Sequence, residues 1–216
     1  MDLDVTRTEE EQLEAIKKWW VENGWSIVGG IVIGLGAIFG WRGWEAYQLT
    51  QAEAASDIYT GLIGEVRQNK NDEARASANK LLDDYSATSY AIFASLIMAK
   101  LDVEAGDPAA AIQHLQWVMD KTGQNEFKHL ARLRMARILL DDNKADQALA
   151  LVLSVSEPGE FTASYEEIKG DIYTRQGEID KAKIAYQQAQ SGMGDTQKEN
   201  TFLQMKIDDI GRLHKE

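Results

Sequence analysis

The chain alternates between two hydropathy patterns. From Asn23 to Trp41 (NGWSIVGGIVIGLGAIFGW) no residue is charged, and Glu22 and Arg42 bound the run. As a helix rising ~1.5 Å per residue, this stretch covers roughly 28 Å, close to the ~30 Å hydrocarbon layer of a bilayer. Five of the six tryptophans gather at its ends: Trp19, Trp20 and Trp25 before, Trp41 and Trp44 after. Indole favours the boundary between water and lipid, so the run reads as one transmembrane helix with two interfacial belts, over residues 23–44. Beyond it, Ala55, Ile58, Tyr59, Leu62, Ile63 and Val66 recur at helical spacing, so the membrane helix continues or restarts as the first helix of a larger domain over 45–216. No stretch sustains the two-residue alternation of a strand, and the expected class is all-α. Ahead of the run, residues 1–22 contain Thr8 and Glu11 in the form of a capping box. It would open a short helix with Leu13, Ile16 and Trp20 on one face, lying on the membrane surface or fraying as a tail.

The membrane segment is rich in glycine. Gly29, Gly36 and Gly40 share one stripe, Gly30 and Gly34 a neighbouring face, and the pairs Gly30/Gly34 and Gly36/Gly40 are spaced as small-xxx-small. Lipid gives helices no hydrophobic reason to associate, so close backbone approach at such positions is a common way to pair. These five glycines are therefore expected to pack the helix against itself or another membrane protein.

In the larger domain the helical stretches are broken at Asn69 to Asp72, Gly106-Asp107, Asp141 to Lys144 and Gly177-Glu178. Superposing the breaks aligns Ala74, Ala111, Ala148 and Ala182, at spacings of 37, 37 and 34 residues. Twelve residues before the last three stand Ala99, Ala136 and Gly170, whereas the earliest copy has Leu62. A small residue, a tight turn and then alanine is what two antiparallel helices need where their backbones approach. The period is near the ~34 residues of a tetratricopeptide repeat. The copy Gly170-x-x-Tyr173, Ala182-x-x-x-Tyr186, Ala189 resembles that repeat closely; elsewhere Asp102 and Leu115, or Leu139 and Val152, hold its aromatic places. Asp107 followed by Pro108 forms a helix start, and Pro158 lies in a linker. The last stretch, from Thr196, puts Leu203, Ile207, Ile210 and His214 on one face and is expected to cap the array.

Charge narrows the partners. The net charge is −12, and residues 45–216 hold 28 acidic against 19 basic side chains, which disfavours nucleic acid and anionic lipid surfaces. The mean hydropathy is −0.38, so only the one segment is membrane-like. There is no cysteine, which removes disulfides, thiolate metal sites and a cysteine nucleophile. The acidic N-terminus does not resemble a cleavable leader, and Ala52-Glu53-Ala54 lies too far beyond the apolar run to mark a cleavage site, so an uncleaved signal anchor is expected. Arg7, Lys17 and Lys18 precede the run, whereas Arg42 alone follows it before Arg67. That asymmetry predicts the N-terminus in the cytoplasm and the domain outside.

No catalytic constellation is legible. His114, His129 and His214 have no partner at ligand spacing, no phosphate loop follows a strand, and Asp83-Asp84, Asp141-Asp142 and Asp208-Asp209 read as solvated helix surface. No cofactor, no metal and no enzymatic activity are expected. A stack of hairpins instead makes a concave surface, and Phe93, Ile97, Arg134 and Tyr173, on the first helices of their hairpins, are its candidate lining.

The segment EAIKKWWVENG (Glu14 to Gly24), the glycine-laced helix, GWRGWEAYQ (Gly40 to Gln48) and a degenerate tetratricopeptide domain together resemble the YfgM family, ancillary subunits of the bacterial SecYEG translocon. The resemblance covers nearly the whole chain. It implies a type II, single-pass protein of the inner membrane of a Gram-negative bacterium, with its C-terminal domain in the periplasm. It also implies a role beside the translocon, with the membrane-anchored chaperone PpiD, in passing nascent secretory chains to periplasmic chaperones. It carries over no catalytic motif. A structural or regulatory scaffold of an envelope or stress-signalling complex, making no client contact, is the alternative of a different class.

Overall fold

A computed structural model describes residues 9–193 and 201–213. Among them are nine α-helices, one short 3-10 turn and no strand. The first helix, α1, runs unbroken over Glu9–Arg67. Thr8 of the expected capping box, His214, and the residues between Thr196 and Thr201 lie outside the described residues. The remaining helices are α2 (Asn71–Asp84), α3 (Ser89–Glu104), α4 (Pro108–Lys121), α5 (Asn125–Asp141), α6 (Ala145–Leu153), α7 (Thr162–Gln176), α8 (Ile179–Gly192) and α9 (Thr201–Leu213), with the 3-10 turn at Gly159–Phe161 before α7. The chain divides into two units, 1–53 and 54–216.

In the first unit most of the described apolar side chains of α1 are exposed, although Trp20 lies over the buried Gly24 and Trp44 lies against Tyr47. Trp25 is 87% exposed, Ile33 74% and Phe39 67%. A helix apolar on every side and covered on none has lipid as its natural surroundings, because each backbone group is already hydrogen-bonded within the helix. This one is long and apolar enough to cross a membrane. A Cβ at Gly29, Gly30, Gly34, Gly36 or Gly40 would meet nothing within 4 Å beyond its own stretch of helix, so no packing among the described residues requires the stripe.

The second unit is a stack of helical hairpins, and its repeat is written in the turns. Asn69, Gly106, Asn143 and Gly177 take left-handed conformations, with φ of 56°, 79°, 59° and 76°. Each lies five residues before one of the aligned alanines. The next N–H in every case donates back to the carbonyl five residues earlier: Lys70 to Glu65 (3.0 Å), Asp107 to Asp102 (2.8 Å), Lys144 to Leu139 (2.8 Å) and Glu178 to Tyr173 (2.9 Å). These bonds satisfy the carbonyls that a helix end leaves open, and the reversal sends the following helix back antiparallel. At Asp107 the side chain also accepts from the Ala110 N–H (2.9 Å), with Pro108 starting α4. The same turn appears in the earliest copy, whose expected small residue is Leu62, so the turn conserves the hairpin where the side chains do not.

Packing follows the small residues. Ala74, Ala111, Ala148 and Ala182 are wholly buried, as is Ala136, and Ala99 is 3% exposed. Pairs α3/α4, α5/α6 and α7/α8 form the hairpins, and α2/α3, α4/α5 and α6/α7 join one hairpin to the next. Three apolar clusters result. Ala55 and Leu62 of α1 meet Ala78, Leu81, Ala94 and Met98 in the first. Leu115, Val118, Met135, Leu140, Val152 and Ile168 anchor the large central one. Helix α3 serves both and is therefore apolar on two faces: Ala94, Met98 and Leu101 point one way, Ile92, Leu96 and Ala99 the other. The third cluster seats Leu203 and Ile210 of α9 against Tyr186 and Ala189 of α8, so α9 is the expected cap.

Candidate functional site

The first helices of successive hairpins, α3, α5 and α7, carry the candidate surface. Their N-terminal ends are aromatic. Phe93 of α3 contacts Tyr59 of α1 (ring centroids 5.7 Å), Tyr90 (6.4 Å, edge-on) and Phe127 of α5 (5.4 Å, edge-on). Further on, His129 stacks on Phe161 at 4.9 Å and its Nδ1 lies 2.9 Å from the hydroxyl of Tyr165. Burial lowers the pKa of His129, with Arg132 adding to the effect and Glu126 opposing it, so the ring is neutral at pH 7 and acts as a packing residue. His114 is likewise lowered, by burial first and against the pull of Asp102.

Toward their C-terminal ends α3 and α5 flank an open cleft of about 370 Å³. Leu96, Ala99 and Val103 line it from α3, Ile138 from α5, and Leu115 of α4 closes its floor. Its edges are charged. Lys100 pairs with Glu104 on α3 (3.5 Å), and Arg134 and Arg137 stand one turn apart on α5. Arg137 also borders a second, more polar hollow between α5, α7 and α9. There Lys206 of α9 donates to Glu167 and to Asp171 of α7 (both 2.8 Å), and the Tyr186 hydroxyl donates to Asp171 (2.7 Å). This network ties the last helix to the stack.

The four candidate lining residues do not share one surface. Phe93 and Arg134 lie on the α3/α5 side, the first in the aromatic row, the second at the cleft. Ile97 is half-buried against the cluster formed by α1, α2 and α3. Tyr173 packs away from both, beside Ile184 of α8 and Leu153 of α6, with the Lys181 ammonium 5.5 Å from its ring centre. Arg137 and Val103 at the cleft, which spacing alone did not single out, complete the picture, together with Asp102, whose burial spacing did not foretell. Asp102 occupies the place of Tyr173 in its copy and is 3% exposed. It accepts from Arg75 Nη1 at 2.5 Å and faces His114 Nε2 at 3.5 Å. A carboxylate in an aromatic place was the available signal for such a buried charge network. Asp83-Asp84 and Asp208-Asp209 are exposed, and among the described residues no group of three His, Asp or Glu side chains could hold a metal ion.

Comparison with known proteins agrees with this architecture. A family profile described as "Tetratricopeptide repeat-like domain" matches residues 17–212. The chain is 31% identical over 202 residues to the ancillary SecYEG translocon subunit of Haemophilus influenzae, covering 94% of this chain and 97% of that one. It is 31% identical over 206 residues to the protein of the same name from Aggregatibacter actinomycetemcomitans (95% and 98% covered). With the Escherichia coli protein, also so named, it shares 28% over 208 residues (96% and 99%). Identity at this level across nearly the full length of both chains, on a helix-hairpin array behind one long apolar helix, makes this chain a member of the YfgM family of ancillary SecYEG translocon subunits.

Proposed function

We propose that this chain is a membrane-anchored interaction module of the SecYEG translocon, working by contact rather than by catalysis. Residues 1–22 would face the cytoplasm, 23–44 would span the inner membrane, and 45–216 would form a periplasmic docking domain. The single observation that carries the reading is one uncovered apolar helix joined to a hairpin array with an open, part-apolar face, in a chain akin to named translocon subunits along nearly its whole length. Three basic residues before the membrane run against one after it support the orientation. Tethering would keep the domain's effective concentration high where secreted chains emerge, which suits cooperation with a PpiD-like chaperone and hand-off of nascent chains.

Topology is the first test. The chain lacks cysteine, so Gln187→Cys on the exposed face of α8 provides one thiol. On intact spheroplasts a membrane-impermeant maleimide should label it, and protection would overturn the orientation and the translocation role with it. Crosslinking to an arrested secretory chain then separates hand-off from scaffolding. Adducts with a PpiD-like chaperone but never with the nascent chain would leave only a scaffold.

A further inference from the structure

The cleft between α3 and α5 has features that a purely structural groove would not need. Its apolar walls are open to water, and Val103 on its rim is 48% exposed. Beside those walls Arg134 and Arg137, both exposed and one turn apart, have no carboxylate partner among the described residues, although the chain carries an excess of twelve negative charges. The one acidic rim residue, Glu104, is already matched by Lys100. The pKa of Arg134 is lowered, by partial burial first and by the like charge of Arg137 one turn on. A carboxylate placed between the two arginines would offset their mutual repulsion, and the fork geometry of guanidinium suits that pairing.

We propose that the α3/α5 cleft docks a short acidic, amphipathic segment of a partner protein, which inserts one or two apolar side chains over Leu115 and sets an Asp or Glu against Arg134 and Arg137. The volume of about 370 Å³ admits side chains rather than a folded surface. A second copy of this chain is disfavoured, because it would bring a domain of the same excess negative charge against this one. A brief segment delivers its carboxylates only where the positive pair stands. The proposal rests on the reading of the domain as an interaction module and names the chemistry that module recognises.

The test uses the full chain in nanodiscs of zwitterionic lipid and three fluorescein-labelled peptides of about four helical turns. One carries Leu and Glu at i, i+3 and i+4 spacing, one replaces each Glu with Lys, and one replaces each Leu with Ser. Anisotropy titration should show the Leu/Glu peptide binding about ten-fold tighter than the Leu/Lys one, since two part-exposed charge pairs together give roughly that factor, and at least as much tighter than the Ser one, which loses the buried apolar side chains. Arg134→Glu with Arg137→Glu should lose that factor for the Leu/Glu peptide and gain affinity for the Leu/Lys one. The melting profile of the variant is recorded beside that of wild type, because Arg137 also borders the hollow of Glu167 and Asp171, and Val103→Glu, away from that hollow, should weaken the Leu/Glu peptide independently. Equal affinity for the three peptides, no binding of the Leu/Glu peptide, or a double variant that binds like wild type would overturn the proposal. Concentration-dependent self-association that Arg134→Glu/Arg137→Glu abolishes, in place of peptide binding, would overturn it in favour of a second copy. Co-purification of SecYEG with wild type and the double variant is scored alongside. Its retention when the peptides fail sinks the cleft assignment alone; its absence from wild type when the peptides bind sinks the translocon reading alone.

Discussion

Gly170 offers the sharpest check on the packing argument. A Cβ built there would lie 2.4, 2.5 and 2.8 Å from Cε1, Cδ1 and Cζ of Tyr186, where carbon atoms need about 3.5–4.0 Å. The ring cannot swing aside. Tyr186 is 2% exposed, packs with Ala182, Ala189, Leu203 and Ile210, and donates its hydroxyl to Asp171 at 2.7 Å. Gly170→Ala must therefore push α7 from α8 or break that bond, and overpacking of this kind costs about 1–3 kcal/mol. Against it stands the gain of about 0.8–1 kcal/mol for replacing glycine with alanine inside a helix. Because the ring is held in place, the upper half of that range applies, and the net is a loss of about 1–2 kcal/mol, or a melting temperature lower by roughly 2–8 °C for a domain of this size. Thermal unfolding of the full chain in detergent, followed by circular dichroism, measures it. Gly61→Ala, on α1 with open space around it, should shift the other way by about 1 kcal/mol, and in a Tyr186→Ala background Gly170→Ala should turn stabilising. A Gly170→Ala protein melting at or above wild type would refute the claim that helix approach in this hairpin requires glycine.

Three further outcomes are expected. Arg75→Ala strands the buried Asp102 carboxylate and should cost about 2 kcal/mol in chemical unfolding; because Arg75 is 30% exposed this is less than for a fully buried pair, and adding Asp102→Leu, the residue type at Leu139 in the next copy, should recover most of it. Burial raises the pKa of Tyr186 well above the usual value of 10 and also raises that of Tyr59, so the unfolded chain loses these protons first and stability falls as pH rises past about 10; absorbance titration should show a late-titrating component, and Tyr186→Phe should diminish it. In the membrane segment, Gly36→Leu with Gly40→Leu should abolish helix pairing in a crosslinking assay, and unchanged crosslinks would discard the glycine stripe as an interface.

What the sequence alone determined is local. The membrane-length helix follows from an uninterrupted apolar run, and the hairpins follow from turn positions and small residues at fixed offsets. Backbone hydrogen bonds close within five residues at each of the four left-handed turns, so their signal lies in a short window even where, as with Asn69 and Asn143, the residue is not glycine. Tyr186, at an aromatic place of the repeat-like copy, is buried, and the period of Leu203, Ile207 and Ile210 foretold the capping face of α9. Only the tertiary structure decided which faces meet. Arg75 and Asp102 stand 27 residues apart in sequence, and Lys206 reaches Asp171 across 35. Tyr173 turns to α6 and α8, while Phe93 and Arg134 turn to the space between α3 and α5. Helical period places a side chain on its own cylinder but says nothing of how one cylinder is rotated against the next. That rotation is set by the summed contacts of many residues distant in the chain, and it alone opens the cleft where Arg134 and Arg137 stand without an ion-pair partner among the described residues.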